Sequence, residues 1–154
     1  MSQGENDGYA WHCLPFDALS LLQLHALLRL RQEVFAVEQN SIYLDVDGRD
    51  PGALHLFATQ GADIVACCRI LAPGVKYAEP SIGRVCTAAS HRGRGLGLAL
   101  MQRAIACCDQ RYAGEGIRIS AQLYLKDFYG ALGFAHTSQV YDEDGIPHIE
   151  MRRL

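Results

Sequence analysis

The 154-residue sequence lacks the hallmarks of several large protein classes. It has no excess of basic residues, because its net charge is -3 and its isoelectric point is near 6.0, which argues against nucleic acid as a partner. It has no apolar run of the roughly 18 residues that a membrane-spanning helix needs, so no membrane association is expected. Residues 1–11, MSQGENDGYAW, contain neither a basic residue nor an apolar core. We therefore expect no signal peptide and a cytoplasmic location.

The six cysteines show no spacing that is typical of a metal site. No Cys-x-x-Cys motif occurs, and four of the cysteines form two pairs of sequence neighbours. Neighbouring cysteines rarely bridge each other, so reduced thiols and no bound metal are expected. Five cysteines lie in apolar runs, which predicts that they fill the core: Cys13, Cys67, Cys68, Cys107 and Cys108.

The length and the 49% hydrophobic content fit one domain, which we place at residues 11–154 after a flexible tail at residues 1–10. Apolar periodicity and turn signals predict the element order β-α-β-β-β-α-β-α-β-β. Ser20 and Gln23 form a capping box at the start of the first helix, and Asp144-Gly145 marks the turn of a closing hairpin. The expected fold is α+β, with a mostly antiparallel twisted sheet flanked by helices.

The stretch SHRGRGLGLALM, residues 90–101, leaves a predicted strand and enters a predicted helix. The first turn of a helix offers unpaired N–H groups and the positive end of the helix dipole, and glycines let the backbone approach an anion closely. Arg92 and Arg94 add positive charge. A phosphate or pyrophosphate site and a glycine-rich turn with solvated arginines both fit this pattern. The P-loop and dinucleotide-binding fingerprints do not fit this stretch, because its glycine spacing is G-x-G-x-G and no Gly-Lys-Ser/Thr follows.

A third pattern fits better. Arg92, Gly95 and Gly97 match the Arg/Gln-x-x-Gly-x-Gly/Ala motif of the GCN5-related N-acetyltransferases (GNAT family). About 35 residues later, AQLYLKDFYGALGF resembles the second landmark of that family, a helix that runs from an asparagine to a tyrosine and ends in Gly-Phe. The segments LRLRQEVFAVEQ, YLDVDGRD, IGRV and EDGIPHIEM resemble one subgroup, the ElaA-like proteins. The resemblance covers nearly the whole chain and implies the GNAT fold.

The resemblance implies acetyl-CoA as acyl donor and no metal. In this family the strand before the glycine loop offers its backbone to the pantetheine arm and can supply an N–H group to the oxyanion. The loop itself wraps the pyrophosphate, and Gln122 replaces the usual asparagine near the cofactor. The implied cofactor-binding residues are Val85, Cys86, Thr87, Arg92, Gly93, Arg94, Gly95, Leu96, Gly97 and Gln122.

The catalytic residues that the resemblance implies are less specific. Tyr129 aligns with the tyrosine that protonates the departing thiolate, although a core aromatic residue is the alternative. Cys86 could act as a nucleophile, but a structural role is favoured because the family needs no covalent intermediate. The attacking amine must lose a proton, so a base is needed, and Glu38 and His148 are candidates. The carboxylates Glu33, Glu38, Asp45, Asp47 and Asp50 together predict an acidic rim for a cationic amine.

The sequence therefore predicts an acetyl-CoA-dependent N-acetyltransferase that acts on the primary amine of a small molecule or peptide. A coenzyme A-binding sensor or interaction module that has lost the chemistry is the alternative. A weaker resemblance of LRLRQEVF to acyl-homoserine-lactone synthases is disfavoured, because those use S-adenosylmethionine and the pyrophosphate loop here is intact. The interpretation allows a homodimer.

Overall fold

Two antiparallel sheets form the framework of the computed structural model, which describes residues 8–154. The first sheet has the order β1-β2-β3-β4, and the second has the order β5-β8-β6, with β7 also paired to β8. The strands are β1 (Ala10–Pro15), β2 (Leu54–Gln60), β3 (Asp63–Leu71), β4 (Ser81–Thr87), β5 (Ile117–Gln122), β6 (Ala135–His136), β7 (Tyr141–Glu143) and β8 (Ile146–Arg153).

Three α-helices accompany the sheets: α1 (Leu21–Arg31), α2 (Leu96–Arg111) and α3 (Lys126–Gly130). A π-helical segment, Gln32–Glu38, continues α1 directly. Because side chains alternate along a strand, β2 serves two cores. Leu56 packs in the cluster that contains α2, and Phe57 packs in the cluster that contains α1. The first sheet is thus covered by a helix on each face.

The two sheets meet where β4 and β5 begin side by side. The Arg118 N–H group donates to the carbonyl oxygen of Pro80 at 3.0 Å. Beside this contact, the Glu79 carboxylate pairs with Arg118 and with Arg152, each at 2.9 Å. Further along, β4 and β5 belong to separate sheets. The molecule is therefore tied at one end of these two strands and open along the rest.

A network of arginine–aspartate ion pairs fixes the loop between the π-helical segment and β2. Asp50 is buried and accepts hydrogen bonds from Arg31 at 2.8 Å and from Arg69 at 3.1 Å. Arg31 also pairs with Asp45 at 2.9 Å, and Arg69 pairs with Asp47 at 2.6 Å. The network joins α1, β3 and the loop. Charge pairing, rather than apolar packing alone, thus positions this loop.

The sequence predicted this architecture well. The α+β class, the antiparallel strands flanked by helices and the element order are confirmed, apart from the short extra strand β6. The single central sheet that was expected is divided into two, because β4 and β5 separate. The capping box at Ser20 is present, and the closing hairpin turns between Glu143 and Ile146. The π-helical segment was not predicted.

Two other expectations concern the start of the chain. Residues 1–7 of the predicted tail lie outside the described residues, whereas Ala10 pairs with Thr59 and the side chain of Tyr9 is buried. The expected burial of Cys13 is wrong: it is exposed, because it lies on β1, an edge strand with no fully buried residue. Within residues 8–154 no helix is long and apolar enough to cross a membrane.

Replacing Asp50 with asparagine should destabilise the protein strongly. The change removes the carboxylate shared by two buried arginines, and breaking such a network costs about 3–5 kcal/mol of unfolding free energy. Urea unfolding at pH 7 measures the loss. Asp17→Asn, at an exposed position, is the control and should change stability by less than about 0.5 kcal/mol.

The loss should also depend on pH. Burial acts to raise the pKa of Asp50, but the ion pairs with Arg31 and Arg69 outweigh it and lower the pKa below its ordinary value. A lowered pKa contributes stability above the unfolded value of about 3.9, and this contribution disappears as pH falls through the folded value. The difference between wild type and Asp50→Asn should therefore shrink below about pH 4. A difference that stays constant down to pH 2 would contradict the ion-pair explanation.

Candidate active site

A cleft of about 400 Å³ lies between β4 and β5, where the two sheets separate. The π-helical segment and the β7–β8 hairpin also line the cleft. Most of the site residues predicted from the sequence line this cleft: Glu38, Val85, Cys86, Thr87, Arg92, Gly97, Gln122, Tyr129 and His148. Residues that are distant in sequence are thus brought to one place.

Strand β4 carries a bulge within the cleft. Cys86 lies opposite Cys67 and Gly83 lies opposite Arg69, so three steps on β4 match two steps on β3. Arg84, at the bulge, has a φ angle of 51°. A bulge leaves one residue without its partner in the ladder, which frees backbone groups for other contacts.

The glycine turn leads from β4 into α2. Gly93 and Gly95 have φ angles of 78° and 75°, which other residues adopt only with strain. Gly95 directly precedes α2, and no side chain caps the first turn of this helix. Gly97 lines the cleft, whereas the side chain of Leu96 is buried in the core. Leu96 can therefore offer only backbone groups to a ligand.

Arg92 and Glu38 form a bidentate ion pair in the cleft. The guanidinium nitrogens lie 2.6 and 2.9 Å from the two carboxylate oxygens, and Arg92 also donates to the carbonyl oxygen of Thr87 at 2.9 Å. The hydrogen bond from Arg92 lowers the pKa of Glu38. Pairing therefore makes Glu38 a weaker proton acceptor than an unpaired carboxylate.

Tyr129 is buried on α3 and packs edge-on against Phe128 and Phe134, with ring centroids 5.1 and 6.1 Å away. Among residues 8–154 its hydroxyl has no hydrogen-bond partner, and the residue lines the cleft. Burial raises the pKa of Tyr129 well above its ordinary value. The phenol therefore keeps its proton at neutral pH.

His148 and Glu143 form a pair on the β7–β8 hairpin. Nδ1 of His148 lies 2.8 Å from the carbonyl oxygen of Ile146. Because a carbonyl oxygen only accepts, Nδ1 must carry the hydrogen. Nε2 lies 3.2 Å from Oε2 of Glu143, and this contact is a hydrogen bond only when Nε2 also carries a proton. The sequence indicated His148 but missed Glu143, although both belong to the segment EDGIPHIEM.

The predicted acidic rim does not exist as proposed. Asp45, Asp47 and Asp50 are held by the arginine network, which also includes Arg84 at 2.8 Å from Asp45. Glu33 pairs with Arg29 at 3.0 Å on the exposed side of the helix. The prediction was wrong because the arginines come from α1, β3 and β4, and only folding brings them to the loop.

The other predicted residues have simpler surroundings. The side chain of Gln122 is longer than that of the family's usual asparagine. Its Nε2 lies 3.3 Å from Oε1 of Gln39, so the amide group extends to the neighbouring wall of the cleft. The Cys86 sulfur lies 3.6 Å from that of Cys67, and this contact together with burial raises the pKa of Cys86. A thiolate at this position is disfavoured. Within residues 8–154 no group of three potential ligands could hold a metal ion.

Comparisons with known proteins agree with this geometry. A family model described as an acetyltransferase (GNAT) domain matches residues 28–154. A UPF0039 protein from Synechocystis is 41% identical over 142 residues, which cover 92% of each chain. Protein ElaA from Escherichia coli is 39% identical over 145 residues, covering 93% of this chain and 95% of ElaA.

A solved structure gives the same result. The crystal structure of an acyl-CoA N-acyltransferase from Pseudomonas aeruginosa superposes with a TM-score of 0.91 at 40% sequence identity, covering 95% of this chain and 99% of that one. Family model, curated relatives and structural neighbour all extend over most of the chain. The chain therefore belongs to the GNAT acetyltransferase family, with ElaA among its relatives.

Proposed function

We propose that this protein transfers an acetyl group from acetyl-CoA to a primary amine by direct attack of the amine on the thioester. One observation carries the proposal: the bulged backbone of β4, the entrance to α2, Tyr129 and the His148–Glu143 pair all face the same cleft.

The donor half of the cleft fits an anionic coenzyme. The uncapped first turn of α2 presents N–H groups where a pyrophosphate would bind, and Arg92 adds a guanidinium. Gly93, Arg94 and Gly95 form the turn between these groups. The thioester then lies along Val85, Cys86 and Thr87, where the backbone freed by the bulge can donate to the oxyanion.

The acceptor half supplies a base. Nε2 of His148, when it carries no proton, can accept one from the attacking amine, and Glu143 then stabilises the imidazolium. We favour His148 over Glu38, because Arg92 lowers the basicity of Glu38. Tyr129 holds the proton that the departing thiolate needs.

A panel of amines, including small amines, amino acids and a lysine peptide, tests the function. Thiol release from acetyl-CoA that depends on both protein and amine supports the enzyme. Binding of acetyl-CoA without thiol release for any acceptor would instead favour the non-catalytic coenzyme A-binding module.

Tyr129→Phe should slow the chemical step without changing acetyl-CoA affinity. General acid help is worth about 10²–10⁴-fold, and because the pKa of Tyr129 is raised far above pH 7, we expect the lower end of that range. Single-turnover kinetics measure the step. Tyr124→Phe, another tyrosine of the cleft but exposed, is the matched control. Equal rates for Tyr129→Phe and wild type would make Tyr129 only a core aromatic residue.

His148→Gln should lower kcat by about 10²–10⁴-fold and leave the Kd of acetyl-CoA unchanged. Glu143→Gln should give a smaller loss, because the imidazole remains but its imidazolium is no longer stabilised. His12→Gln, on β1 away from the cleft, controls for loss of a histidine. An unchanged kcat in His148→Gln would exclude His148 as the base.

Glu38→Gln should tighten acetyl-CoA binding. The change releases Arg92 from its ion pair and removes a negative charge beside the expected pyrophosphate. Exposed pairs contribute up to about 1 kcal/mol, so Kd should fall by up to about fivefold. Calorimetry measures Kd, and the gain should shrink at high salt. Glu33→Gln, which breaks an exposed pair outside the cleft, is the control. Weaker binding by Glu38→Gln would contradict the assignment of Arg92.

A further inference from the structure

Two cysteines from different elements meet outside the cleft. Cys13 lies on β1 and Cys107 lies on α2, and their sulfur atoms are 3.7 Å apart. Cys13 is exposed and Cys107 is half-buried, so small molecules can reach the pair. All six cysteines are free thiols in this structure. The contact plays no part in the proposed acyl transfer.

The regular geometry of the two elements holds these thiols together. Two residues before Cys13, the ring of Trp11 stacks on the guanidinium of Arg103 at 4.5 Å, and Arg103 lies four residues before Cys107. A two-residue step along a strand is about 6.6 Å, and a four-residue step along a helix is about 6 Å. The Trp11–Arg103 and Cys13–Cys107 contacts are therefore separated by nearly the same distance along β1 and along α2. The thiol contact thus follows from the packing of β1 against α2.

We propose that Cys13 and Cys107 are a redox modification site, which a hydroperoxide converts into a reversible disulfide. The two S–H bonds break and one S–S bond forms, while hydrogen peroxide is reduced to two molecules of water. The sulfur atoms must approach from 3.7 Å to about 2.05 Å. Within residues 8–154, β1 is an edge strand that pairs with β2 alone, so no strand on its other side opposes a shift towards α2.

The pKa of Cys13 limits the rate at which this thiol is oxidised. Partial burial of the Cys13 sulfur and the neighbouring Cys107 raise the pKa of Cys13 to about 11, while Arg111 acts in the opposite direction. The thiolate is the reacting species, so only a small fraction of Cys13 is reactive at neutral pH. Oxidation that begins at Cys13 is therefore slow at neutral pH.

A second thiol pair serves as an internal control. Cys67 and Cys86 lie directly opposite each other on β3 and β4, with sulfur atoms 3.6 Å apart. Their exposed fractions are only 2% and 5%. The two pairs have nearly the same separation and differ in access to solvent. Selective oxidation of the exposed pair would therefore separate accessibility from mere proximity.

The disulfide would lock β1 onto the helix that follows the glycine turn. The cross-link closes a loop of more than 90 residues, which lowers the entropy of the unfolded chain. A second contact connects the start of β1 to the glycine turn. Tyr9, just before β1, packs edge-on against His91, one residue before Arg92, with ring centroids 6.0 Å apart. The oxidised protein should therefore unfold at a higher temperature than the reduced protein.

Millimolar hydrogen peroxide on the purified, reduced protein tests the proposal. Peptide mapping by mass spectrometry without reductant should find a Cys13–Cys107 linked peptide, two hydrogens lighter than the two separate peptides. The Tm should rise by at least about 5 °C and return after dithiothreitol. Cys107→Ser should abolish both effects, and Cys13→Ser, at an exposed position, should do the same without disturbing the core.

Several results would overturn the proposal. These are a Cys67–Cys86 disulfide in place of the expected one, a disulfide between two chains, and sulfinic acid at Cys13 without a linked peptide. A linked peptide with an unchanged Tm would refute the locking of β1 onto α2.

Discussion

The separation of β4 from β5 is the constraint on which the rest of the molecule depends. Two neighbouring strands that stop pairing leave backbone N–H and C=O groups without partners, and such groups are costly when they are kept from water. Here the strands share a hydrogen bond where they begin, at Pro80 and Arg118, and then diverge around the cleft. Glu79, with its two arginines, ties the closed end. The open end exposes backbone groups to a ligand, which is the role that the proposed function gives to β4.

Electrostatic pairing controls a second part of the site, the loop that follows the π-helical segment. Along residues 41–47 the side chains alternate, so that Tyr43, Asp45 and Asp47 are partly buried while Ile42, Leu44 and Val46 face solvent. The loop therefore contributes few apolar side chains to the core. Its aspartates instead bind arginines from three elements, and Tyr43 donates to Asp45 at 2.6 Å. The same pairs that hold the loop remove its aspartates from the acceptor site.

The remaining charged groups of the cleft are divided between its two halves. Arg92 and Glu38 lie at the entrance to α2, while His148 and Glu143 lie on the closing hairpin. Tyr129 and His148 are both buried, and the neighbours Phe128 and Phe134 keep the surroundings of Tyr129 apolar. In the proposed reaction, the raised pKa of Tyr129 suits a group that stays protonated until the thiolate departs, and the imidazole beside Glu143 suits one that accepts a proton.

The sequence by itself determined the local structure and the family. The capping box at Ser20, the turn at Asp144-Gly145 and the glycine loop are short-range signals, because each depends on backbone preferences within a few residues. The tertiary structure alone decided which charges meet. Asp50 lies 19 residues from both Arg31 and Arg69, and Glu38 lies 54 residues from Arg92. No local pattern reveals such partners, because the energy of an ion pair depends on distance and burial in space rather than on separation along the chain. For the same reason the sequence predicted an acidic rim for a cationic amine where the folded protein has neutralised aspartates, and it did not reveal the contact between Cys13 and Cys107.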